Sequence, residues 1–322
     1  MGAALQAKAI VLSEPLKLGL QDLALQVPGA ADVVVDVAYS GISTGTEKLL
    51  FDGSMPPFPG LAYPLVPGYE SVGQVVQAPR GTGLREGDWV FVPGSNCFEG
   101  VQGLFGGAAS RLVVPAERVV PLDATLREKG ILLALAATAV HCLRPAEGRS
   151  REAFAFPELI VGHGVLGRLV ARLTLALGGQ APTVWEQNPL RRSGADGYTV
   201  TEAEQDPRRD YSRILDVSGA PQLLDTLIAR LAPQGELVLG GFYAAPLNFS
   251  FPPAFMRELR LRVAAEWQAE DLRVALRLLD EERLCLDGLI THRADPEDAL
   301  EAYERAFADP GCLKMILNWS AS

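Results

Sequence analysis

Residues 160–167 read Ile160-Val161-Gly162-His163-Gly164-Val165-Leu166-Gly167. They follow the apolar run Glu158-Leu159-Ile160-Val161 and open a stretch with Val165, Leu166, Leu169, Val170, Leu173 and Leu177 at helical spacing. A bare GxGxxG is weak evidence, but strand before and helix after is the context in which it binds a dinucleotide. The glycines permit a tight turn and let a pyrophosphate approach backbone N–H groups at the positive end of the helix. The next strand-like run, Pro182–Trp185, ends at Glu186, nineteen residues after Gly167. A carboxylate there bonds ribose hydroxyls and repels a 2′-phosphate, which predicts NAD rather than NADP. The predicted cofactor residues are Gly162, His163, Gly164, Val165, Leu166, Gly167 and Glu186, with Ser218 and Gly219 after one strand and Gly241 and Phe242 after another. Arg191 is either a phosphate contact or a solvated residue opening a helix, and His163 either touches the cofactor or serves the local backbone.

Outward from this turn, strands and helices alternate: PTVWE, RILDVSG, the helical PQLLDTLIARL, GELVLGGF and LRLRVAAEW. Such alternation predicts a doubly wound parallel sheet, the Rossmann arrangement. The chain before it has another texture. VVVDVAYSGIS, ESVGQVVQ, GDWVFVP and ASRLVVPA are short β-branched runs bounded by Gly and Pro, which predicts a mostly antiparallel barrel or sheet. EKGILLALAATAVHCL, from Glu128, reads as a buried helix between the two. After Trp267 two amphipathic helices and the closing run CLKMILNW are too short for a domain and are predicted to return to the first. The predicted fold class is α/β: a mostly-β catalytic domain, 1–145 and 268–322, carrying a Rossmann insertion, 146–267.

Composition narrows the function. A formal charge of −10 over 322 residues argues against nucleic acid, which needs a basic footprint, and against anchoring to anionic lipid. No apolar run approaches the ~20 residues needed to cross a bilayer, and the first thirty residues lack the pattern of a signal peptide. Cys97, Cys142, Cys285 and Cys312 form no CxxC pair and are predicted to be buried free thiols in a reducing cytoplasm.

Strands first, then GDWVFVP, GGAASRLVVP, the glycine-rich turn and a C-terminal return: the chain resembles the medium-chain dehydrogenase/reductase superfamily, with its GroES-like catalytic domain. SGISTGTEKL, MPPFPG, YPLVPGYESVG, VFVPGSNCF, LFGGAA, NPLRRSGA, LITHR and CLKMIL extend the resemblance over essentially the whole chain, toward members that oxidise the hydroxyethyl group of a magnesium tetrapyrrole. The resemblance implies a bacteriochlorophyllide or chlorophyllide substrate, a role in pigment synthesis, a homodimer and a cytoplasmic enzyme that meets photosynthetic membranes through pathway partners.

The superfamily's zinc ligands do not carry over. Gly-Ile-Cys is here Gly41-Ile42-Ser43, Gly-His-Glu is Gly68-Tyr69-Glu70, and LALAATAV offers no third ligand. A catalytic zinc takes about three protein ligands, so no metal is expected. Without metal, a positioned base or hydrogen-bond acceptor must take the hydroxyl proton. Tyr69 is the candidate, backed by Glu70, with Ser43, Thr44 or Thr46 completing a relay; the alternative is a tyrosine that merely fills the old metal cavity. His141 is a further base candidate or a structural imidazole, and Glu47 a structural neighbour. Phe58, Phe105 and Tyr243 are assigned to the substrate wall, with Phe242 at its border. The competing enzyme class is a zinc-free quinone or enoyl reductase using NADPH; the non-enzyme alternative is a binding protein that has lost its cofactor.

Overall fold

A computed structural model describes residues 5–146 and 153–321, and every element named here lies within them. The contacts divide the chain into one unit of Met1–Ala134 with Leu289–Ser322 and a second of Leu135–Gly288.

In the first unit the strand Asp32–Ile42 is central. It pairs antiparallel with Ser71–Gln77, Arg111–Pro115 and, from the chain's far end, Met315–Asn318. Trp89–Val92 extends the sheet beyond Ser71–Gln77. A second sheet begins with the hairpin Gln6–Glu14 and Lys17–Ala24. The apolar faces of both meet in a core that includes Ile10, Leu12, Val33, Leu65, Leu112 and Trp319. The return of the C-terminus is literal: Met315 stands opposite Ile42 in the ladder. Non-local pairing of this kind brings Lys314 beside residues some 270 positions earlier.

In the second unit six strands run parallel in the order Thr199–Thr201, Thr183–Trp185, Leu159–Val161, Tyr211–Asp216, Leu231–Leu239, Arg260–Val263. The order reverses at Leu159–Val161, the switch point outside whose carboxyl end ligands bind in such sheets. The helix Val165–Ala176 leaves directly from that end. Leu159, Ile214, Leu227 and Leu237 belong to this unit's own core.

Three expectations need adjustment. The unit boundaries fall at 134/135 and 288/289 rather than at 145 and 268. The cause is Asp271, on the helix Ala269–Asp280, whose carboxylate takes His141 Nδ1 at 2.9 Å and Arg144 Nε at 2.8 Å; that helix therefore packs with the second unit. The apolar stretch from Glu128 starts as a 3-10 turn, Arg127–Leu132, before the α-helix Leu133–Cys142. Finally, Cys97, Cys142 and Cys312 are buried but Cys285 is exposed, while its neighbours Leu284 and Leu286 are buried.

Candidate functional site

In the first unit, the strand Asp32–Ile42 delivers a buried Ser43 to the foot of the helix Thr46–Asp52. Tyr69, on the turn before Ser71–Gln77, reaches it: the Tyr69 and Ser43 hydroxyls are 2.6 Å apart. The Thr46 hydroxyl stands close enough to favour the charged phenol slightly, and the Phe105 ring meets the Tyr69 ring edge-on at 5.4 Å. Burial, reinforced by the negative charge of Glu70, pushes the phenol well above the usual tyrosine range. Tyr69 is therefore a neutral donor and acceptor at every physiological pH, not a phenolate.

Glu70 does not back Tyr69 as expected. Its Oε2 lies 2.6 Å from the ammonium of Lys314, and both side chains are almost wholly enclosed. Lys314 also donates to the carbonyl of Ile42 at 3.3 Å, while Glu70 Oε1 is buried without a hydrogen-bond partner. An enclosed carboxylate is tolerable only with such a counter-charge, so the chain spends Glu70 on Lys314. The donor set consequently does not fit zinc. Two of the ligand positions hold hydroxyls bonded to each other, Leu133–Val140 offers no third ligand, and the carboxylate that follows the second position, Glu70, faces an ammonium. Among the described residues no three His, Cys, Asp or Glu side chains gather closely enough to hold a metal ion.

Beside this pair lies a second buried carboxylate. Glu47 accepts the backbone N–H of Ser43 at 3.0 Å and the hydroxyl of Tyr303 at 2.8 Å. Burial pushes its carboxyl up to about 7. The folded protein thus holds a proton that the unfolded chain releases above its ordinary value near 4.5. Stability from this group is fully present below the unfolded value and is lost as pH rises through the folded one. Each pKa unit corresponds to about 1.4 kcal/mol, so the loss across the window is about 3 kcal/mol. Glu47→Gln is expected to abolish that loss. Denaturation of both proteins from pH 4.5 to 8 checks it, and parallel stability curves would refute the assignment.

In the second unit the glycine turn fits a dinucleotide. Gly162 has φ 101°, and a Cβ on Gly167 would lie 1.9 Å from the Gly162 carbonyl oxygen, so strand end and helix start could not approach with side chains in place. A Cβ on Gly164, by contrast, would meet nothing within 4 Å: space is open above the helix start. Asp216, at the end of the neighbouring strand, accepts from Ser218 N and Oγ at 2.9 and 2.6 Å and from the Tyr243 hydroxyl at 2.7 Å. Burial raises its carboxyl. Ser218 and Gly219 are thereby fixed beside Gly162, whose Cβ would come within 3.3 Å of Ser218 Cα. Glu186 is largely buried, its Oε2 accepting from His163 N–H at 2.9 Å and its Oε1 from Asn188 N–H at 2.8 Å.

The structure brings some predicted residues together and separates others. Ser43, Thr46 and Tyr69 converge with Phe105. Thr44 is exposed and makes no part of that cluster. His141 is tied to Asp271, the arrangement of a structural imidazole. His163 is fully buried, and both its ring nitrogens meet protein groups, the Arg191 carbonyl and the Tyr198 hydroxyl. Phe58, Phe105 and Phe242 are exposed at 37%, 37% and 50%, unusual for phenylalanine, whereas the Tyr243 hydroxyl is already spent on Asp216. Sequence reading missed Lys314, Tyr303 and Arg168. Lys314 had a signal, a lone cation in the apolar run CLKMIL; Tyr303 had none, since its partner Glu47 lies 256 residues away.

The two units define an alcohol dehydrogenase frame of the medium-chain dehydrogenase/reductase superfamily. Residues 29–124 match the family model described as the alcohol dehydrogenase GroES-like domain. L-idonate 5-dehydrogenase from Escherichia coli shares the fold, with TM-score 0.82 at 18% identity over 98% of this chain and 99% of that one. A protein of Rhodobacter capsulatus named 2-desacetyl-2-hydroxyethyl bacteriochlorophyllide A dehydrogenase is 58% identical, covering 98% of this chain and 99% of the relative. One of the same name from Cereibacter sphaeroides is 54% identical over 99% and 100%. The chain belongs to the family of these two dehydrogenases.

Proposed function

We infer that this chain oxidises the 1-hydroxyethyl group on ring A of bacteriochlorophyllide a, or of the corresponding chlorophyllide, to an acetyl group during bacteriochlorophyll a synthesis, using NAD and no catalytic zinc. The near-full-length identity to two dehydrogenases named for that alcohol carries the reading.

The dinucleotide would lie on the turn Gly162–Gly167, between Ser218 and Glu186; bound there, nicotinamide supplies the hydride acceptor. The carboxylate of Glu186 supports NAD over NADP by repelling a 2′-phosphate. The substrate hydroxyl meets the Tyr69–Ser43 pair. Because the phenol stays protonated, Tyr69 takes the substrate proton only as it gives up its own to Ser43 or Thr46, and Thr46, half-buried, leads toward solvent. Phe105 stiffens the Tyr69 ring from the side. The conjugated macrocycle offsets the missing metal: positive charge developing at the carbinol carbon spreads into the ring, and the ketone formed is conjugated with it. The partly exposed Phe58 and Phe105 supply apolar wall for a flat ring system.

Among the described residues no helix is long and apolar enough to cross a membrane, and contact with photosynthetic membranes is proposed only through pathway partners. Exposed Phe251, Phe255 and Met256 near the outer strand Arg260–Val263 support a homodimer. The function is tested by incubating chelator-treated protein with NAD and a hydroxyethyl bacteriochlorophyllide. The expected outcome is undiminished conversion to the acetyl pigment; activity abolished by chelator and restored by zinc would overturn it.

A further inference from the structure

The histidine inside the glycine turn has a task that neither the turn nor the family explains. His163 is 0% exposed. Its Nδ1 lies 2.6 Å from the carbonyl oxygen of Arg191, and its Nε2 lies 2.7 Å from the hydroxyl of Tyr198. A carbonyl only accepts, so Nδ1 carries the proton and Nε2 accepts from the tyrosine O–H. Burial holds the ring down to about 4, so this neutral tautomer persists through the physiological range. The backbone N–H of the same residue donates to Glu186 Oε2 at 2.9 Å. One residue therefore grips the loop that follows Glu186 at three points: its carboxylate, the Arg191 carbonyl and the Tyr198 hydroxyl. The two rings are packed edge-on with centroids 5.5 Å apart.

The rest of the loop is held independently. Arg168 donates to the carbonyls of His163, Arg191 and Ser193 at 3.1, 2.9 and 2.8 Å. Arg192 donates to the carbonyls of Glu186 and Gln187 at 3.0 and 2.8 Å and pairs with Glu202. Losing the His163 ring would thus not release the whole loop; it would free the Tyr198 hydroxyl and leave the Arg191 carbonyl to Arg168 alone, loosening the loop that runs on from Glu186. That carboxylate discriminates between dinucleotides only if it stays in one place, because repulsion of a 2′-phosphate falls off once the acid can swing away.

We propose that His163 and Tyr198 are specificity-determining positioning residues for the adenosine end of the dinucleotide, fixing the Glu186 carboxylate against the glycine turn. The proposal rests on the nicotinamide-dinucleotide reading above. It is tested on the full-length protein by calorimetric titration with NAD and with NADP. His163→Phe keeps a flat ring but removes both ring hydrogen bonds, and it is expected to weaken NAD about tenfold, the worth of one to two buried hydrogen bonds. NADP should change much less, so the preference narrows. Tyr198→Phe keeps every backbone contact and should weaken NAD roughly two- to fivefold. The double variant should resemble His163→Phe alone, since Tyr198 acts through His163. His163→Gln, whose amide carries both a donor and an acceptor, should recover most of the preference. Equal weakening of both dinucleotides would reduce His163 to a merely structural role and overturn the proposal, as would wild-type affinities in Tyr198→Phe. Wild-type protein that binds neither dinucleotide would instead overturn the underlying cofactor reading.

Discussion

Lys314→Ala is expected to destabilise the protein by about 3–5 kcal/mol, the cost of removing one partner from an enclosed ion pair. Glu70 would be left with no counter-charge at Oε2, and its Oε1 already lacks a hydrogen bond. The loss should be visible in the urea denaturation midpoint at pH 7. It should be largely recovered by pairing Lys314→Met with Glu70→Leu, because replacing both charges with apolar groups of similar volume removes the desolvation cost as well as the attraction. Lys314→Ala with an unchanged midpoint would mean that the pair is not enclosed as described. The result also bears on the site. Glu70 keeps the place of a residue that follows a zinc ligand in related dehydrogenases, and in this chain its role is to hold the last strand against the strand that carries Ser43.

Tyr69→Phe is expected to cut turnover by roughly 10²–10⁴-fold, the range associated with a positioned proton-transfer group. The ring and its contact with Phe105 remain, so pigment affinity should change little, and the loss should fall on kcat rather than KM. Ser43→Ala removes only the partner at 2.6 Å and should cost less, about tenfold, because the phenol itself stays in place. Since the phenol stays protonated, the pH profile of the wild type should show no inflection belonging to Tyr69 below the alkaline limit. Tyr69→Phe with nearly wild-type turnover at all pH values would leave the tyrosine as a filler of the old metal cavity.

The glycine turn was the most legible feature, because its evidence is local: an apolar strand, GxGxxG and a helical period occur within twenty residues, and the structure puts Gly162–Gly167 at the switch point. Tyr69 and Ser43 were legible as departures from a ligand pattern. Their mutual hydrogen bond was not, because it joins residues 26 positions apart through the pairing of two strands. Lys314 and Tyr303 are further removed still, arriving through the C-terminal return. The destination of Glu70 was misread, and the role of His163 was left open between cofactor and local backbone, for one reason. Sequence shows which groups can make a hydrogen bond but not which partner reaches them first, and in both cases a protein partner, Lys314 or Tyr198, takes the group expected to serve the chemistry. The unit boundaries shifted similarly, since His141 and Arg144 share Asp271 across more than 120 residues.

On the mechanism proposed, a metal-free hydroxyl site works because the substrate itself supplies the electronic help and the binding surface. Orientation of a bound macrocycle can contribute several kcal/mol to the barrier, and remote binding energy spent in this way is lost when the substrate is truncated. The decisive measurement compares turnover of a hydroxyethyl bacteriochlorophyllide with that of 1-phenylethanol, using chelator-treated protein and saturating NAD. Rapid appearance of the acetyl pigment's absorption and almost no turnover of 1-phenylethanol are expected; comparable rates on the two alcohols would mean that the macrocycle supplies neither the electronic help nor the orientation.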